Sequence, residues 1–284
     1  MPPRKPSPVG GHVIGGTGSG ISYARRVGAE ALQVFVSNPR GWAVPKPALA
    51  ADAAFADECR DHRLALFVHA PYLVNLASPT ARTREQSIAS LRHCMERSTR
   101  LGARGVVVHA GSAVDRAHRD MAVGVVRDLL APMLDDLTDE SPDLLIEPTA
   151  GGGEALASSV EDLEPLFTAL GHHPRLGVCL DTCHAFAAGH DLATPGGVRR
   201  TLNSLVRAVG RGRLKLVHAN DSKDGLGSKR DRHTPVGQGS IGTEPFAELF
   251  RHPATRGVPV IIETPGGVDG HRRDIELLKQ LRDR

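Results

Sequence analysis

Short runs of consecutive apolar residues, rich in Val, Ile and Leu, recur along the chain and alternate with longer stretches of helical periodicity. The runs are PVGGHVIG (8–15), ALQVFVS (31–37), LALFVHA (64–70), GVVVHAG (105–111), LLIEPTA (144–150), LGVCLDT (176–182), LKLVHAND (214–221) and VPVIIETP (258–265). Runs that are apolar throughout, rather than at every second position, mark strands buried on both faces, as in parallel sheets. Between them, residues 80–101, 115–134, 161–170, 197–209 and 269–281 gather their apolar side chains on one helical face. Thr80 and Asp115 stand where helix N-caps belong, and Gly102 where a helix ends. Eight strands, each followed by a helical segment, predict one α/β domain over residues 9–284, closed as a (β/α)8 TIM barrel. The first strand is the unusual one, because Gly10 and Gly11 are adjacent in it. Residues 1–8, basic and Pro-rich, read as a disordered tail.

Composition narrows the function classes. A chain of 284 residues suits one barrel, which typically needs about 250. With 40% hydrophobic and 24% charged residues it has an ordinary globular balance. No run approaches the roughly 18 apolar residues of a membrane span, and the opening MPPRKPSPVG lacks the apolar core of a secretion signal. The expectation is a cytoplasmic protein with neither a membrane partner nor an obligate protein partner. A formal charge of +3 permits nucleic-acid binding without arguing for it. The four cysteines, Cys59, Cys94, Cys179 and Cys183, form no paired CxxC knots and are expected to be reduced. A structural zinc at Cys179 and Cys183 is the weaker alternative, since each lies in or just beyond a buried run.

In such barrels the chemistry sits at the C-terminal ends of the strands. There the chain places His12, His69, His109, Glu147, Asp181 with His184 three residues on, His218 and Glu263; the long loop after the seventh strand adds Asp231 and His233. One strand-end histidine is most simply a hydrogen-bonded residue. Six consecutive strands ending in metal-ligand types need a common cause. Converging carboxylates repel one another and take up protons unless cations lie among them. Mixed imidazole and carboxylate donors suit zinc, with manganese or iron as alternatives, and argue against a purely magnesium or calcium site. So many donors exceed what one four-coordinate ion can use, so two or three ions are expected.

At this point the chain resembles the endonuclease IV family of abasic-site DNA repair enzymes, from about residue 10 onward. GVCLDTCHAFAAGHD (177–191) is the most specific stretch; HAPYLVNLASP (69–79), VVHAGS (107–112), VHANDSK (217–223), GSKRDRH (227–233), GQGSIG (237–242) and IIETP (261–265) also match. The resemblance implies three zinc ions, with manganese able to take part of the sites. By it His69 and His109 hold the first ion, Glu147 bridges it to the second, Asp181, His218 and Glu263 complete the second, and His184, Asp231 and His233 hold the third. It implies hydrolysis of the phosphodiester 5′ to an abasic site in double-stranded DNA, leaving a 3′ hydroxyl and a 5′ deoxyribose phosphate, and trimming of blocked 3′ ends. Glu147, Asp181 and Glu263 would serve the reaction itself, the first as bridge and the others by orienting the attacking water. Arg40, Tyr72 and Leu73 match the wedge that enters the base stack, with Lys223, Lys229, Arg230 and Arg232 as further candidates for phosphate contact. Trp42 reads as packing under its loop. Pro148, Gln238, Ile14 and Gly41 depart from the family pattern; Pro148 and Gln238 bear on hydrogen bonding around the ligands and on loop shape, and Gly41 on the size of the wedge. Two rivals remain, a metal-dependent sugar isomerase or epimerase on the same barrel and a non-catalytic binder of damaged DNA. An isomerase site has no need of His69, His109 and His233.

Overall fold

The computed structural model describes residues 6–284. Eight parallel strands close into the barrel that the buried apolar runs predict. Seven of them are β1 (Val9–Val13), β2 (Ala31–Phe35), β3 (Ala65–His69), β4 (Gly105–His109), β5 (Asp143–Glu147), β6 (Leu176–Asp181) and β7 (Leu214–His218). The loop after β7 carries a small antiparallel pair, β8 (Asp221–Ser222) with β9 (His233–Thr234). The hydrophobic pattern does not announce this pair, because each strand is only two residues long. The eighth barrel strand, β10 (Val260–Ile262), follows, and the order around the barrel is β1-β10-β7-β6-β5-β4-β3-β2. Ala31, Ala65, Phe67, Val107, Leu145, Cys179, Leu216 and Ile261 fill the interior of the barrel. The remaining strand side chains meet the helices in a separate, larger core that includes Leu66, Val106, Leu144 and Val178.

The adjacent glycines of β1 have a steric reason. A Cβ on Gly10 would collide with the Ala31 carbonyl of β2, and one on Gly11 with the Tyr23 hydroxyl. The strand needs them to lie this close to its neighbours.

Helices α1 (Thr17–Val27), α2 (Leu49–Asp61), α3 (Ala81–Leu101), α4 (Arg116–Asp135), α5 (Leu163–Ala169), α7 (Gly197–Val209), α8 (Glu244–Arg251) and α9 (Gly267–Arg282) pack outside the strands, with a short α6 (Thr182–Ala188) directly after β6. Asp115 caps α4 by accepting from the Ala117 N–H at 2.9 Å, and Gly102 closes α3 in the left-handed conformation at φ 66°. Thr80 occupies the N-cap position of α3, but its side chain makes no capping bond. No helix is long and apolar enough to cross a membrane among the described residues.

Residues 1–5 of the expected tail lie outside the described residues. Ser7 is buried; its hydroxyl donates to the Thr255 carbonyl at 3.0 Å, and Arg282 donates to the Ser7 carbonyl.

Candidate metal centre

The upper ends of the strands bring the nine expected donors into three groups: His69, His109 and Glu147; Glu147, Asp181, His218 and Glu263; and His184, Asp231 and His233. Within each group one ligand atom from every residue lies within 4.8 Å of the others. Glu147 belongs to two of them. Six of the nine stand on the last residue of a strand or just past it, so the parallel register aims them at one point above the barrel axis. Asp231 and His233 arrive from the other side, on the loop that β8 and β9 fold back. The pairing aligns Ser222 with His233 and Asp221 with Thr234.

Asp181 shows how local structure sets the spacing. It is the N-cap of α6, and its Oδ1 accepts from the His184 N–H at 2.9 Å. This bond fixes His184 one turn into the helix and leaves Asp181 Oδ2 to face the site, where Asn220 donates to it at 2.7 Å. The three-residue interval between aspartate and histidine is therefore helix-cap geometry.

The imidazoles supply a test of whether these residues fit metal ions. A ligating histidine normally donates its other ring N–H to an acceptor, which turns the bare nitrogen toward the metal. Four of the five do so. His69 Nδ1 donates to the Ala70 carbonyl (2.7 Å), His184 Nδ1 to the Pro148 carbonyl (3.1 Å), His233 Nδ1 to the Glu263 carbonyl (3.3 Å) and His218 Nε2 to Gln33 Oε1 (3.0 Å). The remaining nitrogens then face carboxylate oxygens with no proton between them. His69 Nε2 lies 3.2 Å and His109 Nε2 3.2 Å from Glu147 Oε2, and His218 Nδ1 lies 3.4 Å from Glu263 Oε2. His184 Nε2 lies 3.2 Å and His233 Nε2 3.0 Å from Asp231 oxygens. Two donors each about 2.0–2.1 Å from one zinc at the tetrahedral angle stand about 3.3–3.4 Å apart. His233 Nε2 is in addition a buried nitrogen without a hydrogen-bond partner. The donor set fits divalent metal.

Electrostatics point the same way. Burial opposes ionisation of Glu147, Asp231 and Glu263, yet the imidazoles facing them hold all three carboxyls well below the usual range. Burial would lower the histidines, but the surrounding carboxylates push His184 up to about 10 and His233 up to about 9, and hold His218 well above its ordinary value. The site demands positive charge, which protons supply when ions do not.

Several residues that support the ligands were not legible as such. Gln33, fully buried on β2, accepts from His218 Nε2 and donates to Glu263 Oε1 at 2.9 Å, so one amide orients two donors. Its signal was a lone amide inside the apolar run ALQVF. Asn220 joins Asp181 to the Glu263 backbone, whose N–H donates to Asn220 Oδ1 at 2.7 Å. His12 donates from Nδ1 to Glu263 Oε1 at 2.6 Å. Asp221 accepts from the backbone N–H groups of Gly237, Gly239, Ile241 and Gly242, and thereby sets the GQGSIG turn. The departure at Pro148 leaves the His184 contact untouched, because the group used is the Pro148 backbone carbonyl. Gln33→Leu keeps approximate volume and removes both hydrogen bonds. It is expected to weaken metal retention by about 10–100-fold, read by competition with a chromophoric zinc chelator; parent-like retention would remove Gln33 from this role.

A cavity of about 600 Å3 opens over the donors, lined by His12, Ile14, Tyr72, Gly266 and His271 as well. Tyr72 is 51% and Leu73 37% exposed at its rim. The Tyr72 ring packs edge-on against Phe35 at 5.3 Å, and its N–H donates to the Pro39 carbonyl, which ties the loop after β3 to the loop bearing Arg40. Arg40 is exposed and Trp42 half-buried. Of the basic candidates, Arg232 is held in an ion pair by Asp224, and Arg230 lies 3.8 Å from the same carboxylate. Lys223 and Lys229 are exposed. Cys179 and Cys183 are free and buried. They fall in different donor groups, and among the described residues no group contains both.

A family model described as a xylose isomerase-like TIM barrel matches residues 21–281. A relative from Streptomyces avermitilis called probable endonuclease 4 is 55% identical over 281 residues, covering 98% of this chain and 91% of its own length. The crystal structure of endonuclease IV from Thermus thermophilus superposes with a TM-score of 0.81 at 35% identity, covering 99% of each chain. A D-tagatose 3-epimerase-like protein reaches a TM-score of 0.71 at 19% identity, over 90% of this chain and 89% of its own, and shares the fold alone.

Proposed function

Since the chain belongs to the endonuclease IV family of xylose isomerase-like barrels, we propose that it hydrolyses the phosphodiester 5′ to abasic sites in double-stranded DNA through three zinc ions. The products are a 3′ hydroxyl and a 5′ deoxyribose phosphate, and the same centre trims blocked 3′ ends. The observation that carries the reading is the set of imidazoles whose outer nitrogens are each held by an acceptor while the inner ones converge on carboxylates. His69 and His109 would hold one ion with Glu147; Glu147, Asp181, His218 and Glu263 a second; His184, Asp231 and His233 a third, with manganese able to replace zinc in part. The ions supply the cationic charge that lowers the pKa of a bound water toward neutrality and neutralises the phosphate.

The side chains do the rest. Four carboxylates alone would repel a phosphodiester, so their task is to hold cations and to accept hydrogen bonds from the attacking water. Asp181 Oδ2 and Glu263, each fixed from behind by Asn220 or by His12 and Gln33, are placed to orient it. Glu147, 1% exposed and faced by three imidazoles, has no freedom to turn away. Tyr72 and Leu73 at the rim would enter the base stack beside the lesion, with Arg40 on the adjacent loop. Displacing an abasic nucleotide is cheap because no base pair is lost on that strand.

Incubation with a duplex containing one abasic site tests the reading. It requires one cut, 5′ to the lesion, with a 3′ end that a polymerase extends. Binding without cutting would leave a damage binder, and turnover of a free ketose without cutting would favour the epimerase. Tyr72→Ala and Arg40→Ala are each expected to weaken binding to the abasic duplex with metal content unchanged. The loss at Tyr72 should be about 1–3 kcal/mol, as for other base–aromatic contacts. A Tyr72→Ala protein that binds and cuts like the parent would refute the wedge.

A further inference from the structure

At the opposite end of the barrel, where the strands begin, a second cavity of about 830 Å3 enters the molecule. Asp143 and Leu214 start β5 and β7, Arg104 directly precedes β4, and Arg211 and Arg256 lie on the loops leading into β7 and β10. Its apolar part is made by Phe67, Leu214, Val258 and Pro259. Its charged part is Arg104, Arg211, Arg256 and Lys215 against the single carboxylate of Asp143. That carboxylate is already engaged, by Lys215 Nζ at 3.5 Å and Arg175 Nη1 at 3.6 Å.

Arginines on this face divide into two kinds. Arg175 donates to the Ser141 and Thr138 carbonyls, and Arg213 to those of His172, His173, Pro174 and Leu176. These two staple the loops. Among the described residues, the guanidiniums of Arg104, Arg211 and Arg256 make no hydrogen bond or ion pair, and all three line the cavity. A concave site that joins an apolar wall to several free guanidiniums matches an organic ligand bearing more than one phosphate. Its volume falls in the range of small-molecule sites, about 300–1,000 Å3, and is too confined for a duplex.

The geometry points to a binding site for a nucleoside di- or triphosphate on the barrel face opposite the metal centre, with Arg104, Arg211 and Arg256 receiving the phosphates and the Phe67–Pro259 wall the base. The site does not depend on the proposed reaction, since no residue is shared with the donor groups. Occupancy there would make the enzyme responsive to nucleotide level.

The test is calorimetric titration of the metal-loaded enzyme with ADP, with inorganic tripolyphosphate and with adenosine. ADP should bind saturably, tripolyphosphate at least about tenfold more weakly and adenosine not measurably. An R211A/R256A protein should bind ADP at least about tenfold more weakly, since each lost hydrogen bond joins charged groups, and should keep its metal content and its cutting of abasic duplex. Neither arginine has a partner whose loss would unfold the chain. No ADP binding would overturn the proposal. So would ADP binding unchanged in the variant, which would put the nucleotide at the metal centre, or tripolyphosphate as tight as ADP, which would leave a plain anion site. Displacement of ADP by a short undamaged duplex would overturn it too, and reassign the surface to nucleic acid.

Discussion

Glu147→Gln is expected to lower strand cutting by at least about a thousandfold, roughly 4 kcal/mol of barrier, while binding to abasic duplex persists. Glu147 is the one residue that two of the three donor groups share. Its Oε2 stands 3.2 Å from both His69 Nε2 and His109 Nε2, and its Oε1 2.9 Å from His218 Nδ1. An amide offers one neutral oxygen where the carboxylate offers two anionic ones, so the two neighbouring ions lose their common ligand. The N–H groups it presents instead would point at cations in a buried site, where nothing screens them. The rim residues Arg40, Tyr72 and Leu73 and the group of His184, Asp231 and His233 stand apart from it and should still grip DNA. Mobility shift and strand cutting on one abasic duplex separate the two effects. Cutting within about tenfold of the parent, a change near 1.4 kcal/mol, would remove Glu147 from the bridging role.

Removal of metal is the second large effect. Dialysis against a chelator is expected to take cutting to background and to lower the melting temperature by about 10 °C, and added zinc should restore both. Ions held at about a thousandfold above their dissociation constant stabilise by roughly 4 kcal/mol, and a chain of this size shifts by about 2–4 °C per kcal/mol. The metal-free protein must balance Glu147, Asp181, Asp231 and Glu263 with protons. With His184 at about 10 and His233 at about 9 without ions, both imidazoles are charged at pH 7. Zinc uptake therefore releases protons and strengthens as pH rises from about 7 toward about 9. Titration in two buffers of different ionisation enthalpy reads that release directly. Zinc uptake that released no protons at neutral pH would contradict the charge balance described here, and cutting that survives verified metal removal would exclude a metal-dependent reaction.

The barrel was legible because strands buried on both faces leave continuous apolar runs, and eight of them appear in order. The donors were legible for the same reason: a histidine or carboxylate ending a run such as LFVH or LLIE is conspicuous, and strand-end geometry makes such residues converge. What the chain hides is the support. Gln33 sits within an apolar run, and only the closed barrel brings it between His218 and Glu263. Asn220 and Asp221 follow β7 in a polar stretch where facing solvent is the ordinary outcome, and both prove buried. Arg232 reads as a free cation in the sequence, and only the β8–β9 fold-back sets it against Asp224. The cavity at the strand starts has no motif at all, since its arginines come from loops far apart in sequence.

Elemental analysis of gently purified protein tests the trinuclear account most directly. The donors fall into three groups with Glu147 shared, so close to three ions per chain, mostly zinc, are expected. One ion per chain, or none, in protein that cuts abasic duplex at full rate would contradict it.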